Sequence, residues 1–177
     1  MKYAFRDIIK PVIVLVCICL VVTALLAYIN QITSPIISEA EKKATQEAMS
    51  QVLTDADSFE EVKIDNCPEM VSEAYRAANG TGYVFILITK GYGGDMKLIC
   101  GIKSDGTIEQ CKTLSHNETS GLGSKTAEDP YKSQYCGKNE DTLNQVNAIT
   151  GATISSTAYK NAIEEAFEAY NIVKEAE

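Results

Sequence analysis

The chain has 177 residues and a mean hydropathy of -0.08, enough for one compact domain and one extra element but too short for a large multidomain enzyme. Its 16 basic and 24 acidic residues leave a net charge of -8, which excludes a nucleic-acid-binding face and disfavours other anionic partners. These averages conceal two materials, because the long aliphatic runs are concentrated before Asn30.

Residues 12–29 are 18 consecutive positions without a charge, and no charge occurs between Lys10 and Glu39. At about 1.5 Å per residue that run spans roughly 27 Å, and extending it back through Ile8 and Ile9 reaches a bilayer core of about 30 Å. A cleaved signal peptide would have a shorter apolar run ending in small residues, whereas Leu25, Ala27 and Tyr28 make a poor cleavage site. Cys17 and Cys19 lie in mid-span behind Val16 and Ile18, where a lipid-attachment signal needs a small residue. The expectation is therefore a permanent single-pass anchor in the cell (inner) membrane, in contact with lipid. Lys2, Arg6 and Lys10 precede the span and Glu39 and Glu41 follow it, which predicts a cytoplasmic N-terminus over residues 1–10, a span over 11–30, and the remainder outside. That remainder holds 13 basic and 23 acidic residues, a net of -10.

Beyond the span, Pro35 predicts a break, and Ser38 with Glu41 three residues on forms a capping box that opens a new helix. Ala40, Ala44, Met49, Val52 and Leu53 mark its apolar stripe, giving a stalk or packing helix within residues 31–58. Strand signals follow at 71–77, 83–89, 96–103 and 107–114, after a weak alternation at 59–64. Asn79-Gly80 and Asp105-Gly106 are tight-turn pairs, so an antiparallel meander is expected. Tyr159, Ile163, Phe167 and Tyr170 recur at helical spacing from about Ser156 onward, a closing helix able to cover one sheet face. The class is α+β, with the domain over residues 59–177.

Cys67, Cys100, Cys111 and Cys136 lie outside the span without the paired short spacing of zinc or iron–sulfur ligands, so no metal site is expected. Disulfides and free thiols both remain open for them. The only histidine, His116, has Glu118 and Ser120 too close in sequence for a catalytic triad. Residues 121–126 resemble a phosphate loop superficially but carry Ser124 and Thr119 where that motif requires glycines. A glycine turn that admits close backbone approach survives.

Small residues crowd the entrance to the last helix at Asn147-Ala148-Ile149-Thr150-Gly151-Ala152-Thr153. The first turn of a helix offers unpaired amides and a positive dipole end suited to a phosphate, although a plain Ser/Thr helix cap would have the same composition. Thr150-Gly151-Ala152-Thr153, with Asn147 before it, resembles the attachment motif of the covalent FMN-binding domain family. His116-Asn117-Glu118-Thr119-Ser120-Gly121-Leu122-Gly123 is similar to that family's second signature, with Ser120 in place of its usual Pro, and Gly91-Tyr92-Gly93-Gly94 ahead of a strand and Asp105-Gly106 completes the ordered set. Asn147 also stands where Asp is more usual. One N-terminal span plus one such domain in a chain this short resembles the G subunits of Rnf-type complexes; the related C subunits of the sodium-pumping quinone reductase are typically longer.

The resemblance implies FMN joined by a phosphoester to Thr153, with Thr150, Gly151 and Ala152 in close approach at the phosphate. It further implies that Glu118, Thr119, Leu122 and Gly123 line the ring or its ribityl chain, and that His116 orders their loop. The implied function is an electron-carrying subunit of a ferredoxin:NAD oxidoreductase that moves ions, without independent turnover. Its partners would be neighbouring membrane subunits and a flavin-transferring enzyme. A stand-alone anchored flavoprotein and a cofactor-free anchored binding module are the alternatives.

Overall fold

The computed structural model describes residues 2–176, with side chains from residue 9 onward; the side chains of Lys2, Arg6 and Asp7 lie outside those described. The chain divides into two compact units, Met1–Lys43 and Ala44–Glu177.

The described residues of the first unit lie within helix α1 (Lys2–Val52). That unit's described apolar side chains face outward, with Leu15, Leu20 and Leu26 exposed by 62%, 65% and 62%. Water does not tolerate a continuous apolar surface of that length, and the helix fits a membrane anchor. Pro35, where the sequence predicts a break, lies inside the helix, as does Pro11. A proline removes one amide bond and crowds one carbonyl, a local penalty of about 3 kcal/mol. The helix nonetheless continues through it, because the loss is confined to that one position. Two residues earlier, Thr33 Oγ1 donates to Ile29 O at 3.0 Å. The Ser38 capping box is consequently unused.

The second unit begins with the last turns of α1, whose buried stripe is Thr45, Ala48, Met49 and Val52, followed by Leu53; Ala40 and Ala44, expected in the stripe, are exposed. Five strands follow: β1 (Phe59–Glu61), β2 (Val71–Ala77), β3 (Gly82–Lys90), β4 (Asp95–Lys103) and β5 (Ile108–His116). They form an antiparallel meander in chain order. The turn pairs act as read: Gly80 and Gly106 take φ of 72° and 83°, and Asp105 Oδ1 accepts from Thr107 N at 2.9 Å.

Both faces of this sheet are covered, and strand alternation divides the core in two. Phe85, Leu87, Leu98, Cys100 and Ile102 pack against Tyr159, Ile163, Phe167 and Tyr170 of α3 (Thr153–Glu175). Val84, Ile86 and Ile99, on the opposite face, pack against Ala48, Met49, Val52 and Leu53. The approach is close enough that a Cβ at Gly101 would overlap the Val52 carbonyl. This explains why β3 is buried without interruption from Gly82 to Leu87.

Between β5 and α3 run a 3₁₀ turn at Gly123–Ala127, the short α2 (Asp129–Lys132) and a second 3₁₀ turn at Glu140–Gln145. Tyr131 and Tyr135 reach from this connection onto α3. Their hydroxyls share a 2.9 Å hydrogen bond, and Tyr131 also donates to Ser156 O at 3.0 Å. The Tyr131 ring meets Tyr159 edge-on at 5.5 Å. Burial pushes the Tyr135 and Tyr159 phenols well above their usual range, so both stay neutral.

The six cysteines are free, with Cys100 and Cys111 buried side by side at 3.3 Å between sulfurs across β4 and β5. Burial raises the thiol pKa of Cys67, Cys111 and Cys136, with Glu165 adding to the effect at Cys67. Because the thiolate is the reactive form, a raised pKa means less of it at any given pH. Pulsed alkylation at pH 8 is expected to label Cys67 and Cys136 in the native domain more slowly than an unstructured thiol, with rates rising with pH. Cys100 and Cys111 should react only after unfolding, as read by peptide mass. Phe167→Ala is expected to lower domain stability by about 3–5 kcal/mol in denaturant titration, because it empties a fully packed site.

Candidate functional site

Helix α3 begins at Thr153, three residues before the sequence-predicted start. Its N-cap is Ala152, which has no side chain able to cap, so the threonines here do not serve as helix caps. Ahead of it Gly151 takes φ of 84°, Ala152 N donates to Ile149 O at 2.9 Å, and Ile149 N donates to Ser156 Oγ at 3.0 Å. These bonds tie the preceding turn against the helix and leave Thr153 exposed at its first position. Among the described residues, the amides of Thr153, Ile154 and Ser155 meet no acceptor. Unpaired first-turn amides and the positive helix end together favour an anion at this point.

The facing wall comes from the loop after β5. Glu118 is buried there, its amide donating to His116 Nδ1 at 3.2 Å. Its Oε2 accepts from Ser155 Oγ at 2.8 Å and its Oε1 from Gly93 N at 3.3 Å, joining the β3–β4 hairpin, the β5 loop and the start of α3. The glycines around it have a steric cause: a Cβ at Gly91 or Gly123 would overlap a Glu118 carboxylate oxygen. Ser120, where the FMN-binding pattern has Pro, is exposed, and the loop is closed by Leu122 N and Ser124 N, both donating to Thr119 O at 3.2 Å.

Between these walls lies a cleft of about 410 Å³. Of the residues singled out from the sequence, Glu118, Thr119, Leu122, Gly123, Gly151, Ala152 and Thr153 line it, whereas Thr150 and His116 do not. Thr150 is exposed in the turn before Gly151, and His116 stands behind the wall as the partner of the Glu118 amide. Tyr92, Ile154 and Ser155 also line the cleft and were not singled out as contacts. Tyr92 was legible as the side chain within the Gly91–Gly94 stretch; Ile154 and Ser155 required knowing the phase of a helix that begins at Thr153.

A second cleft, of about 430 Å³, shares Thr153 and Ile154 and is otherwise lined by Met70, Thr89, Lys90, Thr157, Ala158 and Asn161. Thr153 thus stands between the two clefts, the first of them flanked by the exposed apolar groups of Tyr92, Leu122 and Ile154. A planar aromatic group fits the first, beside glycines that admit close approach, and a phosphate fits the unpaired helix end. Among the described residues no group of three or more potential metal ligands occurs.

The FMN-binding domain family matches residues 91–168, and the RnfG N-terminal region matches residues 1–52. The chain is 30% identical to the G subunit of the proton-translocating ferredoxin:NAD(+) oxidoreductase complex of Clostridium ljungdahlii, over 85% of this chain and 84% of that protein. It is 32% identical to the G subunit of the ion-translocating oxidoreductase complex of Methanosarcina acetivorans, over 92% and 94%. It is 27% identical to the G subunit of the Na(+)-translocating ferredoxin:NAD(+) oxidoreductase complex of Acetobacterium woodii, over 94% and 93%.

The steric role of Gly123 gives a direct test. Gly123→Ala must displace the Glu118 carboxylate and is expected to destabilise the domain by about 1–3 kcal/mol. Gly137→Ala, at a positive-φ glycine with open space around it and remote from the cleft, serves as a strain control in the same thermal melts.

Proposed function

The chain belongs to the family of G subunits of ion-translocating oxidoreductase complexes, and from that premise we propose that it carries electrons within such a complex on FMN held by a phosphoester to Thr153 Oγ. The observation that carries the reading is the exposed Thr153 hydroxyl at a helix end with unpaired amides, bordered by a cleft with apolar flanks. FMN, when bound, supplies reversible acceptance of electrons. The remaining chemistry is binding and placement by this chain.

In this reading Thr153 is an attachment point and not a catalyst. Gly151 and Ala152 keep the approach to its oxygen open, and the amides of Thr153, Ile154 and Ser155 face the phosphate. Thr150 stands next to them in the same turn. Glu118, Thr119, Leu122 and Gly123, together with Tyr92 and Ile154, line the space for the ring and its ribityl chain, while His116 orders the Glu118 backbone. A covalent link suits a carrier that must not lose its group, because it replaces affinity with a bond that dissociation cannot break. Maturation then calls for a flavin-transferring enzyme, to which Thr153 is accessible.

The charge distribution supports a single pass with the N-terminus in the cytoplasm and the flavin domain outside the cell (inner) membrane. An uncharged single span cannot form an ion path, so translocation belongs to neighbouring subunits. The outer part, with its net charge of -10, does not attract an anionic soluble donor, which favours docking through the span and those subunits.

Intact-mass measurement of the native chain is expected to show a gain equal to FMN less one water. Thr153→Ala should abolish both that gain and the in-gel flavin fluorescence. A native chain lacking the added mass, or fluorescence that survives in Thr153→Ala, would exclude the phosphoester at this residue.

A further inference from the structure

Among the described residues lining the cleft proposed for the flavin ring, Glu118 alone carries a charge. Ser155 Oγ and Gly93 N hold its two oxygens, and Gly91 and Gly123 leave no more room than those oxygens fill. Both of its hydrogen-bonding partners are neutral, and among the described residues no lysine, arginine or histidine forms an ion pair with it. A buried charge without a counter-charge acts over several ångströms, since little solvent stands between it and its neighbours. The positive end of α3 offsets it only in part: a helix terminus is worth about half an elementary charge, and a phosphate on Thr153 would share the same terminus.

Resting on the FMN reading above, we infer that Glu118 sets the flavin potential, its fixed negative charge holding the ring toward the oxidised state. When the ring takes up two electrons and one proton it gains one negative charge. Next to a carboxylate that cannot move away, the charged product is disfavoured relative to the neutral oxidised ring. Ser155 is the positioning residue for this effect, because its hydroxyl dipole both holds Oε2 and offsets part of the charge. The hydrogen bonds that close the cleft therefore also poise its occupant as a donor of electrons.

The two side chains make opposite predictions, which separates charge from shape. Glu118→Gln keeps the size of the side chain and removes its charge. Ser155→Ala keeps the charge and removes its neutral partner. Full-length proteins are produced with the flavin-transferring enzyme, checked for FMN by intact mass, and titrated with dithionite against redox dyes. Glu118→Gln is expected to favour the reduced ring by tenfold or more at a given potential, a rise of about 30 mV for a two-electron couple. Ser155→Ala is expected to shift the midpoint the other way. A flavinylated Glu118→Gln protein with an unmoved midpoint overturns the inference. So does a rise in both variants, since a merely loosened cleft would carry each toward free FMN. If Glu118→Gln carries no FMN, Ser155→Ala decides alone: a lowered midpoint supports the inference and any other result overturns it. A wild-type chain without the FMN mass defeats the covalent reading itself, whereas a flavinylated wild type with unshifted variants defeats only the role of Glu118.

Discussion

The packing of α3 on one face of the meander is the interaction from which the rest of the outer domain follows. Tyr159, Ile163, Phe167 and Tyr170 are each buried against β3 and β4, and burial of side chains of this kind contributes about 1.5–3 kcal/mol apiece. That seam fixes the axial position and rotation of the helix, and hence the place of Thr153 at its first turn. Tyr131 and Tyr135 add a second restraint from the side, binding the connection after β5 to the carbonyl of Ser156. A hydroxyl left exposed at a helix start has a defined location only because the apolar seam behind it is rigid.

The cleft beside that hydroxyl is organised around a polar group. Three stretches of chain distant in sequence, the Gly91–Gly94 turn, the loop after His116 and the start of α3, meet at the Glu118 carboxylate. A buried carboxylate is expensive unless hydrogen-bonded, and here each oxygen has one neutral donor. Gly91 and Gly123 take their identity from that arrangement. Of the glycines that suggested a phosphate loop, Gly123 leaves room for a side chain, whereas Gly121 takes a turn with φ of 76°.

The two units obey different solvents. Among the described side chains of Met1–Lys43 the apolar ones stay on the outside, as suits a surrounding that is not water, and Pro11 and Pro35 are absorbed into the helix. From Thr45 onward the same helix buries a stripe on the sheet face opposite α3, so a single element is apolar all round over one stretch and amphipathic over the next. The charge of -10 on the outer part belongs wholly to the second regime.

The sequence by itself determined what depends on local periodicity and turn chemistry. The apolar span, four of the strands within a residue or two at their starts, the glycines at 80 and 106 and the α+β class were all legible, because each rests on neighbours close in the chain. The ordered motifs around Gly91, Glu118 and Thr153 likewise identified the FMN-binding family. Continuity of the helix through Pro35 was not legible, since a proline signals a break and whether its local penalty is absorbed depends on the turns on either side. Nor was the exact apolar stripe of Thr45, Ala48, Met49 and Val52, which depends on where the sheet lies. Only the tertiary structure decided that Tyr92, Ile154 and Ser155 join the cleft while Thr150 and His116 stay off it. It alone also showed that Glu118 spans to Ser155, 37 positions away. Contacts of that range are selected by which faces the packed sheet and helix turn toward one another, and no local pattern in the chain encodes that choice.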